Sequence, residues 1–239
     1  MNTSINFLQQ YPFILAFIIG LVPALVWLWF WLKEDRHHEP AKMITLSFLG
    51  GMLAVLCVLP FQKIVYFYFS NEQGLSFTLF ATIEEVFKFM MAYFVALRNK
   101  VVTDEPVDDT IYLIISALGF VTFENTLFLI TPIKNGDIIG VLTSGNLRFI
   151  GASLLHIIAS ATIGISMGLA FYKTALKKRL HILSGLVIAI VLHTAFNLFI
   201  INGTEGNIFL IFGVVWIGVV GLLLLFERVK HVEPLKLEN

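Results

Sequence analysis

The sequence predicts an all-α fold, a polytopic bundle of about seven transmembrane helices with the N-terminus outside and the C-terminus in the cytoplasm. Three observations predict it. Hydrophobic residues make up 58% of the 239 positions and charged residues only 13%, and the mean hydropathy is +0.87, far above that of a water-soluble domain. Apolar runs recur at about 11–32, 43–69, 75–97, 110–132, 147–172, 182–201 and 207–226, and each is long enough to cross a bilayer as a helix. The basic residues between the runs are lopsided: of 16 lysines and arginines, twelve fall on one side, three on the other, and Lys88 lies inside a run. By the positive-inside rule the richer side is cytoplasmic, which fits an odd number of spans.

Taken in order, the first run has no Lys or Arg before it, spans about 20 residues and is followed by no small-residue cleavage site, so it is expected to be a retained helix rather than a signal peptide. Trp27, Trp29 and Trp31 at its inner end form an interfacial anchor. The second run is over-long and contains Pro60, Gln62 and Lys63, so it is expected to end or kink there. The third to sixth runs each carry polar groups in their interior, and the seventh carries none. The whole chain, 1–239, reads as one domain with a motif-bearing core at about 75–201. Its two halves do not mirror each other, which speaks against a transporter built from inverted repeats. A formal net charge of zero gives no footprint for nucleic acid. Cys57 is the only cysteine, so an internal disulfide and a thiolate metal cluster are excluded.

The polar interior is where function is expected. Within Ile83-Glu84-Glu85-Val86-Phe87-Lys88-Phe89, two carboxylates and an ammonium interrupt an apolar stretch. Each such residue costs roughly 2.5–3.5 kcal/mol at the centre of an inserting helix, even on lenient scales. Further along come Glu124 with Asn125, then Arg148 and His156, then His193 and Asn197. Counted from the outer ends of their runs, Glu85, Glu124, His156 and His193 all fall roughly 10–15 Å deep at the helical rise. Four helices thus put titratable groups in one layer, the pattern of a shared polar site. A single Glu–Lys pair or a single intramembrane His is as readily interhelical glue; a common depth in four helices is not. Lys88 reaches Glu84 at i,i+4 and Glu85 at i,i+3, while the adjacent glutamates point about 100° apart, so one can face a cavity while the other pairs inside the protein. Phe120 and Glu124 share one helical face, as do His193 and Asn197.

These groups limit the chemistry. No cysteine nucleophile is placed, and the patterns Gly-x-Ser-Gly, Gly-x-Gly-Asp and His-Glu-x-x-His are missing. Carboxylate, imidazole and amide together can activate a water with Glu as general base and stabilise an oxyanion with His and Asn donors. The same set can bind a single zinc ion through Glu84, Glu124, His156 and His193. It can also relay protons or bind a cation in a transporter, or serve a non-catalytic, immunity-type binding protein.

Glu-Glu-Val-Phe-Lys, Gly-Phe-Val-Thr-Phe-Glu-Asn, Arg148 followed by His156, and His193-x-x-x-Asn197 occur in this order, each in its own run. This ordered set resembles the PrsW family, bacterial membrane proteases related to the CAAX-processing and bacteriocin-immunity superfamily. The resemblance covers about 80–200. It implies an intramembrane endopeptidase in the bacterial cytoplasmic membrane, acting on a single-pass membrane protein such as an anti-sigma factor near the extracytoplasmic face, as the first step of regulated proteolysis in a stress response. By position it implies Glu84, Glu85, Glu124, His156, His193 and Asn197 as catalytic residues, with Lys88, Asn125 and Arg148 in support. Glu124 stands where CAAX-type relatives carry a histidine, so the resemblance leaves the cofactor at none or a single zinc ion. Glu84 or Glu85 would be the general base, helped by Glu124 or His156; His193 and Asn197 would hold the oxyanion.

Overall fold

The computed structural model describes residues 10–35, 37–137, 139–142, 151–202 and 208–234. Its described residues form seven long helices: α1 (Pro12–Glu34), α2 (Ala41–Phe69), α3 (Gln73–Ala92, continued by a π-helical turn at Tyr93–Leu97), α4 (Asp108–Lys134), α5 (Ser153–Gly168), α6 (Ala175–Asn202) and α7 (Ile208–Val229). No strand occurs among the described residues. Four of the helices, α1, α2, α4 and the Ala175–Phe199 part of α6, are long and apolar enough to cross a membrane. α5 is apolar but 16 residues long, and α3 carries Glu84, Glu85 and Lys88 in its middle.

Local sequence explains most of the boundaries. Pro12 opens α1, where its missing N–H is not needed. Asp108 and Asp109 sit in the first turn of α4 and Lys134 in its last, which suits the helix dipole at both ends. The second run does not end at Pro60. α2 continues through Pro60 as one helix of 29 residues. Pro60 is exposed, and the backbone bond it cannot donate does not end the helix. The fifth run is longer in the sequence than α5, which gives way to turns after Gly168; residues 143–150, with Arg148, lie outside the described residues.

α4 is the axis of the bundle. Nineteen of its 27 residues are buried, including an unbroken stretch from Asp108 to Thr122, and it touches α1, α2, α3 and α5. Glycines let the neighbours come that close. A Cβ added at Gly51 of α2 would lie 1.9 Å from the Ser116 carbonyl oxygen, and one added at Gly119 of α4 would lie 1.9 Å from the Phe48 carbonyl oxygen. The two helices therefore cross backbone to backbone, as small residues allow within membranes. Gly164 brings α5 equally close, with an added Cβ 2.3 Å from the Thr110 Cα. Two hydroxyls buried along α4 bond to backbone carbonyls, Thr122 to Leu118 and Thr126 to Thr122, each at 2.7 Å, which satisfies those donors in the apolar interior.

Ile111, Leu113, Ile114, Ile115 and Leu118 of α4 form the main apolar core with residues of the neighbouring helices, among them Trp31, Leu154 and Ile157. α7 joins this core. Phe226 meets Trp31 edge-on with centroids 5.5 Å apart, and Lys230 reaches Glu34 and Glu227 at 3.0 Å each. The Tyr112 hydroxyl donates to Glu39 and ties α4 to the α1–α2 turn. The polar groups of α3, α4, α5 and α6 gather towards the other end, near the α2–α3 turn.

The α2–α4 crossing has a direct test. Gly119→Leu must push backbone apart and is expected to cost at least about 2 kcal/mol, seen as a lower thermal unfolding midpoint in detergent and less protein in the membrane. Gly221→Ala in α7, where an added Cβ meets nothing within 4 Å, should leave the midpoint unchanged or raise it slightly.

Candidate active site

The adjacent glutamates of α3 diverge as their helical spacing requires. Glu85 is fully buried, as is Lys88. The Lys88 Nζ donates to Glu85 Oε1 at 2.6 Å and to His156 Nδ1 of α5 at 3.0 Å, and it lies 5.3 Å from the Phe120 ring centroid. Glu85 Oε1 also meets His193 Nδ1 of α6 at 2.7 Å, and Glu85 Oε2 accepts from Ser160 of α5 at 3.4 Å. One carboxylate thus joins three helices, and both of its oxygens are engaged. Glu84 turns the other way and lines a cavity of about 780 Å³, together with Glu124, His156, His193 and Asn197. Its size is that of a ligand pocket, and its walls are largely aromatic, among them Phe77, Phe80, Phe120 and Phe196.

The hydrogen bonds fix where the imidazole protons sit. An ammonium has only hydrogens to give, so His156 Nδ1 accepts from Lys88. The hydrogen of the neutral ring is then on Nε2, which faces Glu124 Oε2 at 3.3 Å. His193 is the reverse. Its Nδ1 lies against a carboxylate and carries a hydrogen, which in the neutral ring leaves Nε2 bare. That bare nitrogen stands 3.6 Å from Glu84 Oε2, a buried carboxylate oxygen with no hydrogen-bond partner among the described residues. Two acceptors facing each other at a cavity wall leave a place for a group with two hydrogens to give, such as water.

Of the residues expected from the sequence, Glu84, Glu85, Lys88, Glu124, His156 and His193 are joined in this network, and Asn197 lines the same cavity. Asn125 is not at the cavity: its Cβ lies towards α1, 3.4 Å from the position of a Cβ added at Gly20. Arg148 is outside the described residues. The two glutamates are placed differently: both oxygens of Glu85 are engaged and it does not line the cavity, whereas Glu84 does. Two participants were missed. Ser160 is one turn beyond His156, a spacing that could have found it. Gln62 of α2 donates to Glu84 Oε1 at 2.7 Å, and its signal was an amide in the middle of an apolar run otherwise read as motif-free.

A family model described as "PrsW family intramembrane metalloprotease" matches residues 39–225. The protein named Protease PrsW of Geobacillus kaustophilus is 30% identical over 165 residues, covering 67% of this chain and 68% of that one. Protease PrsW of Oceanobacillus iheyensis is 28% identical over 186 residues, 77% of this chain and 81% of that one. Protease PrsW of Clostridioides difficile is 26% identical over 189 residues, 76% and 77% of the two chains. No solved structure matches the chain.

The family description implies a metal, and the donor set can be tested for it. Glu84, His156 and His193 each offer one ligand atom within 4.8 Å of the others; Glu124 is not in this group. Glu84 Oε2 and His193 Nε2 have lone pairs to give. His156 has none, since Nδ1 holds the Lys88 ammonium and Nε2 carries the hydrogen directed at Glu124. A catalytic zinc site takes three protein ligands, and here only two are ready. The residues as arranged do not fit a metal unless His156 releases Lys88 or Glu124.

Lys88 is the test of the buried network. Lys88→Met leaves the Glu85 charge in the interior without its cation and is expected to destabilise by roughly 3–5 kcal/mol, read as a lower unfolding midpoint in detergent. Glu84→Gln, at the cavity wall, should leave the midpoint within a few degrees of wild type. Equal midpoints for Lys88→Met and wild type would show that the ion pair does not hold the site together.

Proposed function

This chain belongs to the PrsW family of intramembrane metalloproteases, and on that premise we propose that it hydrolyses a peptide bond of a membrane-anchored protein near the extracytoplasmic face, using Glu84 as general base and no metal. The observation that carries this reading is the pair of facing acceptors, Glu84 Oε2 and His193 Nε2, at the wall of the cavity. A water between them gives one hydrogen to each and turns its own lone pair to the substrate carbonyl. As it attacks, its proton passes to Glu84 and its oxygen bonds to the carbonyl carbon. The oxyanion takes a hydrogen bond from the Asn197 amide and takes over from Glu124 the hydrogen of His156 Nε2, both groups being at the cavity. When the carbon–nitrogen bond breaks, the proton held by Glu84 goes to the leaving amine. Glu85 and Lys88 keep the two imidazoles in opposite tautomers, one a donor and one an acceptor, and take no proton themselves.

The same reading sets the chain in the bacterial cytoplasmic membrane with seven spans, the N-terminus outside. The 12-to-3 split of basic residues supports that orientation, and it puts the cavity in the outer half of the membrane. The substrate is then a single-pass membrane protein, an anti-sigma factor being the candidate, cut as the first step of a stress response. The aromatic walls suit an extended apolar segment of such a protein, and the polar layer at their base suits its backbone.

The experiment is cleavage of a single-pass anti-sigma factor from the same cell by purified protein in nanodiscs, with and without chelator and with zinc content measured. Wild type is expected to cut, to hold substoichiometric zinc and to keep its rate in chelator. Glu84→Gln and His193→Ala, at normal membrane level, should lose on the order of 10²–10⁴ in rate. Wild-type rates in Glu84→Gln sink the assignment of the base. Stoichiometric zinc with chelator-sensitive cleavage sinks the metal-free mechanism. A substrate that is retained uncut points to a binding protein instead.

A further inference from the structure

α2 carries none of the residues on which the family resemblance rests, yet it enters the candidate site through one side chain. Among the described residues, Gln62 is the one hydrogen-bond partner of Glu84, with its Nε2 2.7 Å from Oε1. We propose that Gln62 is a positioning residue of this enzyme: its amide holds one oxygen of Glu84 so that the other is the oxygen aimed at His193 Nε2 and the water. The proposal rests on the general-base reading above.

The argument starts from the carboxylate itself. The terminal torsion of a glutamate is broad and two-fold, so an unrestrained carboxylate swings and either oxygen can present itself. A donor fixed on Oε1 ends that equivalence. The bond is charge-assisted and therefore short and directional, and its far side is Oε2, 3.6 Å from the bare nitrogen of His193. The donor is itself held in place. Phe61, next to Gln62, packs on Phe87, three residues beyond Glu84, with ring centroids 5.3 Å apart. The same helix is locked to α4 at Gly51 and Gly119. The backbone that carries Gln62 is therefore fixed, and its amide offers Glu84 a donor at a set place.

The choice of an amide also separates the two neighbouring glutamates. Glu85 is held by an ammonium, a histidine and a serine, and has no oxygen left. Glu84 is held by a neutral donor at one oxygen only, which orients it without neutralising it and leaves the second oxygen bare. Gln62 also lines the cavity, so the α2 wall that a substrate would touch is the wall that aims the base.

Gln62→Met keeps the size and flexibility of the side chain and removes the donor. In the cleavage assay with the same single-pass substrate, kcat is expected to fall about 10- to 100-fold, as for a reacting group misplaced by an ångström or less, with KM within about twofold. Gln62→His restores an N–H and should recover part of that loss; a residue that merely packs would not be rescued this way. If Gln62→Met fails to accumulate, Gln62→Leu, of similar size with no hydrogen to give, carries the kcat comparison. A second measurement needs no turnover. The infrared difference between wild type and Glu84→Gln isolates the Glu84 carboxyl band, and the same difference in a Gln62→Met background should place that band at a shifted frequency. Unchanged kcat in Gln62→Met, in an enzyme that Glu84→Gln inactivates, overturns the role of Gln62 and leaves the base intact. If no variant and no wild type cleaves, the general-base reading fails on its own; an unshifted band then overturns the Gln62 contact as well, and a shifted one upholds it.

Discussion

The polar layer at the candidate site hangs on one buried ion pair, Glu85 with Lys88. Neither side chain is exposed, and moving two such ions out of water costs several kcal/mol each. The cost is offset because the charges are fully bonded rather than merely adjacent. Glu85 gathers Lys88 of its own helix, His193 of α6 and Ser160 of α5, while Lys88 reaches on to His156 of α5. A hydrogen-bond network of this kind is strong when complete and costly when any member is missing. It converts the position of one helical turn in α3 into the orientation of two imidazoles on two other helices.

That orientation is the chemically useful product. Histidine is symmetric enough to serve as donor or acceptor from either nitrogen, and in isolation neither choice is preferred strongly. Here the ammonium on one ring and the carboxylate on the other force opposite choices, so His156 offers a hydrogen and His193 offers a lone pair. The same forcing is what leaves the metal reading short of a ligand: the nitrogen of His156 that an ion would need is already committed. A rigid axis makes this precision possible. α4 is gripped by backbone contacts at Gly51, Gly119 and Gly164, closer than any side chain would allow, so Glu124 and Phe120 are presented to α5 at a set distance.

Much of this was legible in the amino-acid order. The length and apolarity of the runs, the interruption of the third run by Glu84, Glu85 and Lys88, and the matching depth of Glu124, His156 and His193 all follow from helical rise and the cost of charge in hydrocarbon. The 100° step between Glu84 and Glu85 already said that one must face away from the other. Other features were misread for identifiable reasons. Pro60 looked like an end, but it lies exposed within a helix of 29 residues that runs on past it. Asn125 looked like a companion of Glu124, but the same 100° step that separates the glutamates sends it towards α1. Gln62 was passed over because its only meaning lies in another helix.

Helix, depth and chemical type are local properties, set by composition and by a 1.5 Å rise that every residue shares, and they could be read without any neighbour in view. Which glutamate faces the cavity, which nitrogen of each histidine carries its proton, and which amide restrains Glu84 depend on how each helix is rotated about its own axis against the next. That rotation is decided by where glycines let two backbones touch and by which buried charges must find each other, and neither can be known until the helices are packed.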